Sequence, residues 1–295
     1  LRDHDLGGER KRRRRFDDDE PHFLKRQGRV AAPPPEDIDL VPYSTWGEPG
    51  VVHGPEPRPG WLITELAAVD TDLGILKTGK EAEVYLVSRA LPATDRASLL
   101  AAKRYRAPEH RLFHRDSGYL EGRRVRRSRE MRAMANRTAF GREVIAGQWA
   151  AAEFAALSRL WEAGAAVPYP VQLLGTEVML EFIGDPDGTA APRLAQLRPS
   201  GGELAGLWRQ LVDVLVVLAR AGLTHGDLSA YNILVHHGRL VLIDLPQVVD
   251  VVANPQGGDF LRRDVRNVAR WFAGRGLDVD AEEVAAMLLA DAGVR

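Results

Sequence analysis

Apolar residues are spread unevenly along this chain, and their spacing divides it into a polar beginning, a strand-rich middle and a helix-rich end. Residues 1–60 carry little periodic hydrophobicity. They hold a Pro33-Pro34-Pro35 run and the segment HGPEPRPG from His53 to Gly60. Such a composition offers too little apolar surface to offset chain entropy, which predicts a disordered tail. From Trp61 the pattern changes. LGILKTGKEAEVYLVSRA reads as a strand, a polar turn containing Gly79, and a second strand over 84–87. Leu99 to Ala102 lead into Lys103 and Tyr105 as a third strand, although alanine is a weak strand former. Residues 144–161 return to helical spacing, with Trp149, Phe154, Leu157 and Trp161 on one face. VQLLGTEVMLEFIG gives two strands about Gly175-Thr176, and LAGLWRQLVDVLVVLARAG predicts an amphipathic helix that Gly222 ends. ILVHHGRLVLIDL reads as a hairpin turning at His236-His237-Gly238-Arg239. From Gly257 the chain is mostly amphipathic helix, and no internal repeat interrupts this order.

Strands first, one helix among them, then helices: this order implies an α+β molecule of two lobes. A small β-rich lobe over 61–183 and a helical lobe over 184–295 would leave a cleft between them, where nucleotide sites commonly lie. Within the first lobe, residues 104–142 stand apart. They hold twelve arginines against Glu109, Asp116, Glu121 and Glu130. A flexible surface insertion accounts for that composition. Binding to RNA or another polyanion is the alternative, favoured by the embedded Phe113, His114, Tyr119 and Phe140.

Hydrophobic content of 45% and charged content of 27% are ordinary for a soluble globular protein. The absence of cysteine excludes disulfides, thiolate zinc sites and cysteine nucleophiles. No apolar run is long enough to span a bilayer, and the early basic residues precede no hydrophobic core of a signal peptide. A cytoplasmic protein without a membrane partner is therefore expected. The net charge of −1 hides a basic block, Arg10 to Arg15, followed at once by an acidic one, Asp17 to Glu20. Such blocks usually mark a solvated, disordered segment and only sometimes a nucleic-acid arm.

The stretch LTHGDLSAYNILV, from Leu223, could be a turn between buried elements, since Gly, Asp, Ser and Asn are turn formers. It also spaces Asp227 and Asn232 five positions apart, as kinases space a base and a metal ligand. Asp244 ends an apolar strand twelve residues after Asn232. Together Asn232 and Asp244 offer the hard oxygens that Mg2+ prefers, and Asp227 could accept or orient a substrate proton. Lys103 ends a strand of small and aromatic residues, where a charge is unfavourable unless paired. Glu153 lies among Ala151, Ala152, Ala155 and Ala156. It either faces solvent or pairs with Lys103 and directs it toward phosphates. The turn KTGKEAEVY supplies Gly79 and backbone N–H groups for phosphates, but it is neither a GxGxxG nor a Walker loop.

Four segments together resemble the RIO-type atypical serine/threonine protein kinases. KTGKEAEVY resembles that family's nucleotide loop, THGDLSAYNIL its catalytic loop, LVLIDLPQVV its metal-binding segment, and FLRRDVRNVARWF its C-terminal helix. The likeness runs from about Leu73 to Phe272. FIGDPDGTAAPRL, the basic stretch and the lack of a winged-helix-like beginning are most similar to the first subfamily. The resemblance implies a bilobal kinase-like fold without the usual activation segment, and no Ala-Pro-Glu motif follows Asp244. It implies Asp227 as the catalytic Asp, Asn232 and Asp244 as metal ligands, Lys103 as the phosphate-contacting Lys and Glu153 as its partner. Thr78, Gly79, Lys80, Glu81, Ala82 and Val84 become nucleotide contacts, and Glu181, Phe182 and Ile183 the adenine-contacting hinge. Lys77 stands where the family usually carries Ser, which alters the charge of the loop.

The activity so implied is ATP- and Mg2+-dependent phosphoryl transfer to Ser or Thr of a protein substrate, autophosphorylation included, with Mn2+ as a substitute ion. Members of the family also resemble ATPase switches in maturation of the small ribosomal subunit. Ribosomal RNA or a pre-ribosomal particle is then the expected polyanion for 104–142. Transient phosphorylation of Asp244 belongs to the same resemblance. Two other readings stay open. Aminoglycoside-type phosphotransferases share HGDLxxxN and an Ile-Asp segment, and a nucleotide-binding scaffold with little turnover would need the same residues.

Overall fold

A computed structural model of the chain describes residues 43–106 and 139–294. The expected tail up to residue 42 and residues 107–138 of the arginine-dense stretch lie outside the described residues. Six strands form one antiparallel sheet: β1 (Val52–His53), β2 (Val69–Thr78), β3 (Ala82–Ala90), β4 (Ala97–Tyr105), β5 (Pro170–Leu174) and β6 (Glu177–Glu181). Their spatial order is β1-β5-β6-β4-β3-β2.

Helix α1 (Ala139–Glu162) connects β4 to β5 and packs on the sheet. The alternation of β4 shows why. Leu100 and Ala102 pack with Trp46, Val87, Val171 and Met179 on one face. Tyr105 packs with Ala146, Ala150 and Phe154 of α1 on the other, and Lys103 points the same way as Tyr105. Alanine's weak strand propensity is overridden here, because β4 is paired on both edges and buried on both faces. On α1 the fully buried stripe is Ala146, Ala150, Phe154, Leu157 and Leu160, whereas Trp149 and Trp161 are only half-buried. Small residues let the helix approach the sheet. Glu153 falls inside that stripe, three positions after Ala150 and four before Leu157.

Residues 43–60 are not tail. A 3-10 turn at Thr45–Gly47 buries Trp46, and the Arg89 guanidinium lies over its ring at 5.7 Å. β1 pairs with β5, the Gly54 amide donates to the Val171 carbonyl at 3.0 Å, and the Tyr169 hydroxyl donates to the Pro55 carbonyl at 2.8 Å. A Cβ on Gly54 would lie 1.8 Å from the Pro170 carbonyl oxygen, so this edge closes only on glycine. One aromatic anchor and one glycine contact hold the segment without leaving any periodic pattern. Arg104 of β4 and Arg106 just after it are also ordered, Arg104 paired with Glu177 and Asp72, and Arg106 with Glu83.

The second lobe comprises α2 (Gly201–Arg220), β7 (Leu223–Thr224), β8 (Ile233–His236), β9 (Arg239–Leu242), β10 (Val249–Asp250), α3 (Gly257–Ala273) and α4 (Ala281–Asp291). Leu204, Leu207, Leu211, Val214, Leu215 and Leu218 recur at helical spacing on α2. They share a core with Val265, Val268 and Phe272 of α3 and with Ile233, Leu240 and Leu242 of the β8–β9 hairpin. The Glu203 carboxylate accepts the Ser200 amide at 2.8 Å where α2 starts, and Gly222, with φ of 71°, follows its end. From β9 the chain passes through β10 into α3, with no room for a usual activation segment. No helix among the described residues is long and apolar enough to cross a membrane.

Candidate active site

The segment between β7 and β8 is shaped by a turn at Gly226 and a 3-10 turn at Ala230–Asn232. Gly226 has φ of 83°, and a Cβ there would sit 2.2 Å from the Gln247 carbonyl oxygen. Asp264 of α3, 1% exposed, holds this loop from below. Its carboxylate accepts the Thr224 hydroxyl at 2.8 Å, the Gly226 amide at 2.7 Å and the Leu228 amide at 3.0 Å. Charge-assisted bonds of this kind are stronger than neutral ones. They fix the backbone on both sides of Asp227, whose own carbonyl accepts Asn232 Nδ2 at 3.0 Å. Asp227 is left exposed on a rigid loop.

Asn232 spends its amide nitrogen on that bond, which leaves Oδ1 as its available donor to a cation. The Ile243 amide donates to the Asn232 carbonyl at 3.0 Å and brings the end of β9 alongside. Asp244 follows with φ of 68°, a left-handed position that aspartate tolerates. Its Oδ1 lies 2.6 Å from Lys103 Nζ, and Lys103 also donates to Glu153 Oε1 at 2.7 Å. Lys103 is 8% exposed and Glu153 1%. Glu153 in turn accepts the Tyr105 hydroxyl at 2.6 Å and the Leu245 amide at 3.3 Å. One buried ammonium thus joins β4, α1 and the segment after β9.

Electrostatics follow from that placement. Burial pulls the Lys103 pKa down, but the charges of Asp244 and Glu153 outweigh it and raise it well above the ordinary lysine value. The Lys103 charge, with smaller contributions from Lys77 and His225, lowers Asp244 to about 2 against the effect of burial. Burial, then the Glu153 charge, push the Tyr105 hydroxyl well above its usual range, so it remains a donor.

The expected nucleotide contacts border the same strands. Thr78 ends β2 opposite Glu83, and Gly79, Lys80 and Glu81 form the turn, closed by the Gly79 amide on the Ala82 carbonyl at 2.9 Å. Val84 pairs with Lys103, so their side chains share a face, and buried Ala82 pairs with Tyr105. Glu181 ends β6 opposite Leu100. Its carboxylate accepts the Tyr169 amide at 3.0 Å, and burial raises its pKa. The Glu181 amide donates to the Tyr169 carbonyl at 2.9 Å, and the Ile183 carbonyl accepts the Ala191 amide at 2.9 Å.

Direct bonds bring Lys103, Glu153 and Asp244 together, and Asp227 with Asn232. Asp264, which holds the loop, and Tyr105, which bonds Glu153, are supports that the sequence reading passed over. A signal for Asp264 existed: it sits with Leu261, Val265 and Val268 on the apolar face of α3, where an unpaired carboxylate would be prohibitive. The oxygens that could hold a cation, Asn232 Oδ1 and the second oxygen of Asp244, are hard, and that set fits Mg2+.

Residues 97–284 match the model of the RIO domain. The chain is similar to the RIO-type serine/threonine-protein kinase Rio1 of Haloferax volcanii, 35% identical over 226 residues, which cover 76% of this chain and 71% of that protein. It is similar to serine/threonine-protein kinase RIO1 of Chaetomium thermophilum, 40% identical over 139 residues, but these cover 44% of this chain and only 27% of the fungal protein. In fold it is similar to the crystal structure of the Rio2 kinase-ADP/Mg2+-phosphoaspartate complex from Chaetomium thermophilum, with a TM-score of 0.51 and 20% identity over 75% of this chain and 67% of that one. A domain match over most of the chain, the identity to an archaeal relative along most of its length and the two-lobed fold agree: this chain belongs to the RIO domain family.

Proposed function

We propose that this protein is an atypical kinase that transfers the terminal phosphoryl group of ATP to a Ser or Thr hydroxyl, its own included. The observation that carries the reading is the buried pair Lys103–Glu153, with Lys103 also bonded to the half-buried Asp244, beside a loop that presents Asp227 from a fixed backbone. Lys103, oriented by Glu153, neutralises phosphate charge. The turn Thr78–Ala82 and Val84 cover the nucleotide, and the backbone of Glu181, Phe182 and Ile183 receives the adenine. Asn232 and Asp244 hold Mg2+, with Mn2+ the expected substitute, and the ion supplies neutralisation of the phosphate oxygens. Asp227 orients the hydroxyl and takes its proton as the Oγ–P bond forms and the bond from phosphorus to the ADP oxygen breaks.

The test uses purified chain, Mg2+ and terminally labelled ATP, with label on protein and free phosphate followed together. Label that Asp227→Ala removes and hydroxylamine leaves intact supports a hydroxyl-directed kinase. Phosphate release with a hydroxylamine-labile label, abolished in Asp244→Asn, supports an ATPase switch that passes through an aspartyl phosphate. The solved Rio2 structure, which carries phosphoaspartate, favours testing this second outcome. Neither signal depending on Asp227 or Asp244 would remove the catalytic reading. Label on an aminoglycoside panel instead of protein would favour a small-molecule phosphotransferase. The RNA or pre-ribosomal partner rests on the composition of 104–142. Filter binding to ribosomal RNA should then weaken steeply with salt.

A further inference from the structure

The β8–β9 hairpin turns through two residues, His237 and Gly238, with φ of 48° and 75° and His236 paired with Arg239. Two left-handed residues in a two-residue loop make a type I′ turn, for which Asn-Gly or Asp-Gly is the usual sequence. The turn does not require histidine, and two in succession there have no role in folding it. Adjacent residues of an extended strand project to opposite faces. Here the left-handed step brings both rings together, with centroids 4.0 Å apart. Both aim Nε2 at one atom, Asp185 Oδ1, at 3.1 Å from His236 and 3.5 Å from His237. Asp185 is itself fixed in a tight turn, its amide donating to the Thr189 carbonyl at 2.8 Å and its carbonyl accepting the Gly188 amide at 3.0 Å.

We propose that Asp185, His236 and His237 bind a borderline divalent transition-metal ion, with Zn2+ the best match. Two imidazoles and a carboxylate are an established donor set for such ions, and they differ in kind from the hard oxygens of Asn232 and Asp244. The spacing fits as well. Bonds of about 2.0–2.2 Å in a tetrahedral site place ligand atoms roughly 3.3–3.5 Å apart. The observed separations of 3.1 and 3.5 Å lie at that value within a small side-chain adjustment, and the three donor atoms all lie within 4.8 Å of one another. Coordination through Nε2 leaves the proton on Nδ1, the tautomer a neutral ligand needs. Three protein ligands leave a fourth position for water, and His237, the most exposed of the three, gives an ion a way in without unfolding. Asp185 lies four residues beyond Glu181, while Asn232 and Asp244 flank the base of the same hairpin. An ion at the turn therefore clamps the segment leaving the sheet onto the hairpin that carries the proposed Mg2+ ligands.

The probe is Co2+, whose visible spectrum reports nitrogen ligands, titrated into chelator-stripped full-length chain in excess Mg2+, with Zn2+ then added as competitor. One equivalent of Co2+ should bind, Zn2+ should displace it, and Zn2+ should raise the melting temperature. His237→Asn keeps a residue the turn favours but removes a ligand, and Asp185→Asn removes another. Each should weaken Co2+ binding by more than the roughly 10–100-fold typical of losing an outer-shell partner. Asp244→Asn should leave the titration unchanged. The proposal is overturned if wild-type chain takes up no Co2+ at micromolar concentration, or if His237→Asn and Asp185→Asn bind it as the wild type does, since the ion is then held elsewhere.

Discussion

Lys103 and Glu153 lie fifty residues apart in sequence, yet their charged atoms stand 2.7 Å apart beneath the sheet. Glu153 does more than pair. It takes the Tyr105 hydroxyl on one oxygen and the Leu245 amide on the other, alongside Lys103. That arrangement locks the carboxylate and so the position of the ammonium. Glu153→Gln keeps the size and most of the hydrogen bonding but removes the charge that orients Lys103. Phosphoryl transfer should fall by about 100-fold, the scale expected for a reacting group misplaced by about an ångström. Tyr105→Phe deletes one bond to a charged acceptor and should cost about 1.5 kcal/mol of stability with activity within a few-fold of wild type. Assays with labelled ATP and urea unfolding curves separate the two effects. Wild-type turnover in Glu153→Gln would sink the positioning role.

Asp244 sets an acid limit. Its folded pKa, about 2, is depressed below the unfolded value of 3.8 by the charge of Lys103. A depressed carboxylate stabilises the fold when ionised, fully above its unfolded value, and that contribution is lost as pH falls through the folded one. Asp244→Asn lacks the contribution at every pH. The melting temperatures of wild type and Asp244→Asn should therefore differ most near neutrality and converge between about pH 4 and pH 2. A gap that stays constant through this window would show that Asp244 is not paired with Lys103 in solution.

The parts of the site that could be read from the sequence are those written as local pattern. Thr224–Leu234, the turn at Gly79 and the segment ending at Asp244 each carry their chemistry within a dozen residues. The β-rich and helical halves followed from periodicity alone. What stayed hidden depends on contacts between distant segments. Trp46 and Gly54 attach 43–60 to the sheet through single contacts that make no repeat. The tryptophans of α1 suggested one face, but the alanines set it, because close approach to the sheet outweighs side-chain size. Arg89 lies just past the strand expected over 84–87, yet it is wholly buried by partners on β2 and β5. Charge in a core becomes intelligible only when its partner is known.

Asp264 is hydrogen-bonded to Thr224, Gly226 and Leu228, none of them among the proposed nucleotide contacts, so its substitution should separate loop geometry from ATP binding. Asp264→Ala strands the Gly226 and Leu228 amides and the Thr224 hydroxyl in a buried site, at about 3 kcal/mol or more. Asp264→Asn keeps one acceptor oxygen and should fold. In that variant kcat should drop by about tenfold or more while KM for ATP changes little, because Asp227 alone is displaced. Equal loss in both constants would mean that Asp264 supports the whole lobe and not the loop.

A further buried charge, Arg89, bears on stability. Its Nε and one terminal nitrogen donate to the two oxygens of Asp70 at 2.7 and 2.8 Å, and it also reaches Gln172 Oε1 at 3.0 Å. Asp70→Ala leaves a fully buried guanidinium without its carboxylate, a loss worth about 3–5 kcal/mol in such settings. Removing both charges relieves that penalty, since the desolvation cost of the pair disappears with its attraction. The double variant Asp70→Leu, Arg89→Met should thus unfold at higher urea concentration than Asp70→Ala. Gln172 keeps a partner in that variant, because its Nε2 donates to Thr45 Oγ1 at 2.6 Å. ATP affinity should be unchanged throughout, as the pair lies on the face of the sheet that holds Trp46 and not on the face of Lys103. A double variant no more stable than Asp70→Ala would mean that the ion pair, and not its burial cost, governs this part of the core.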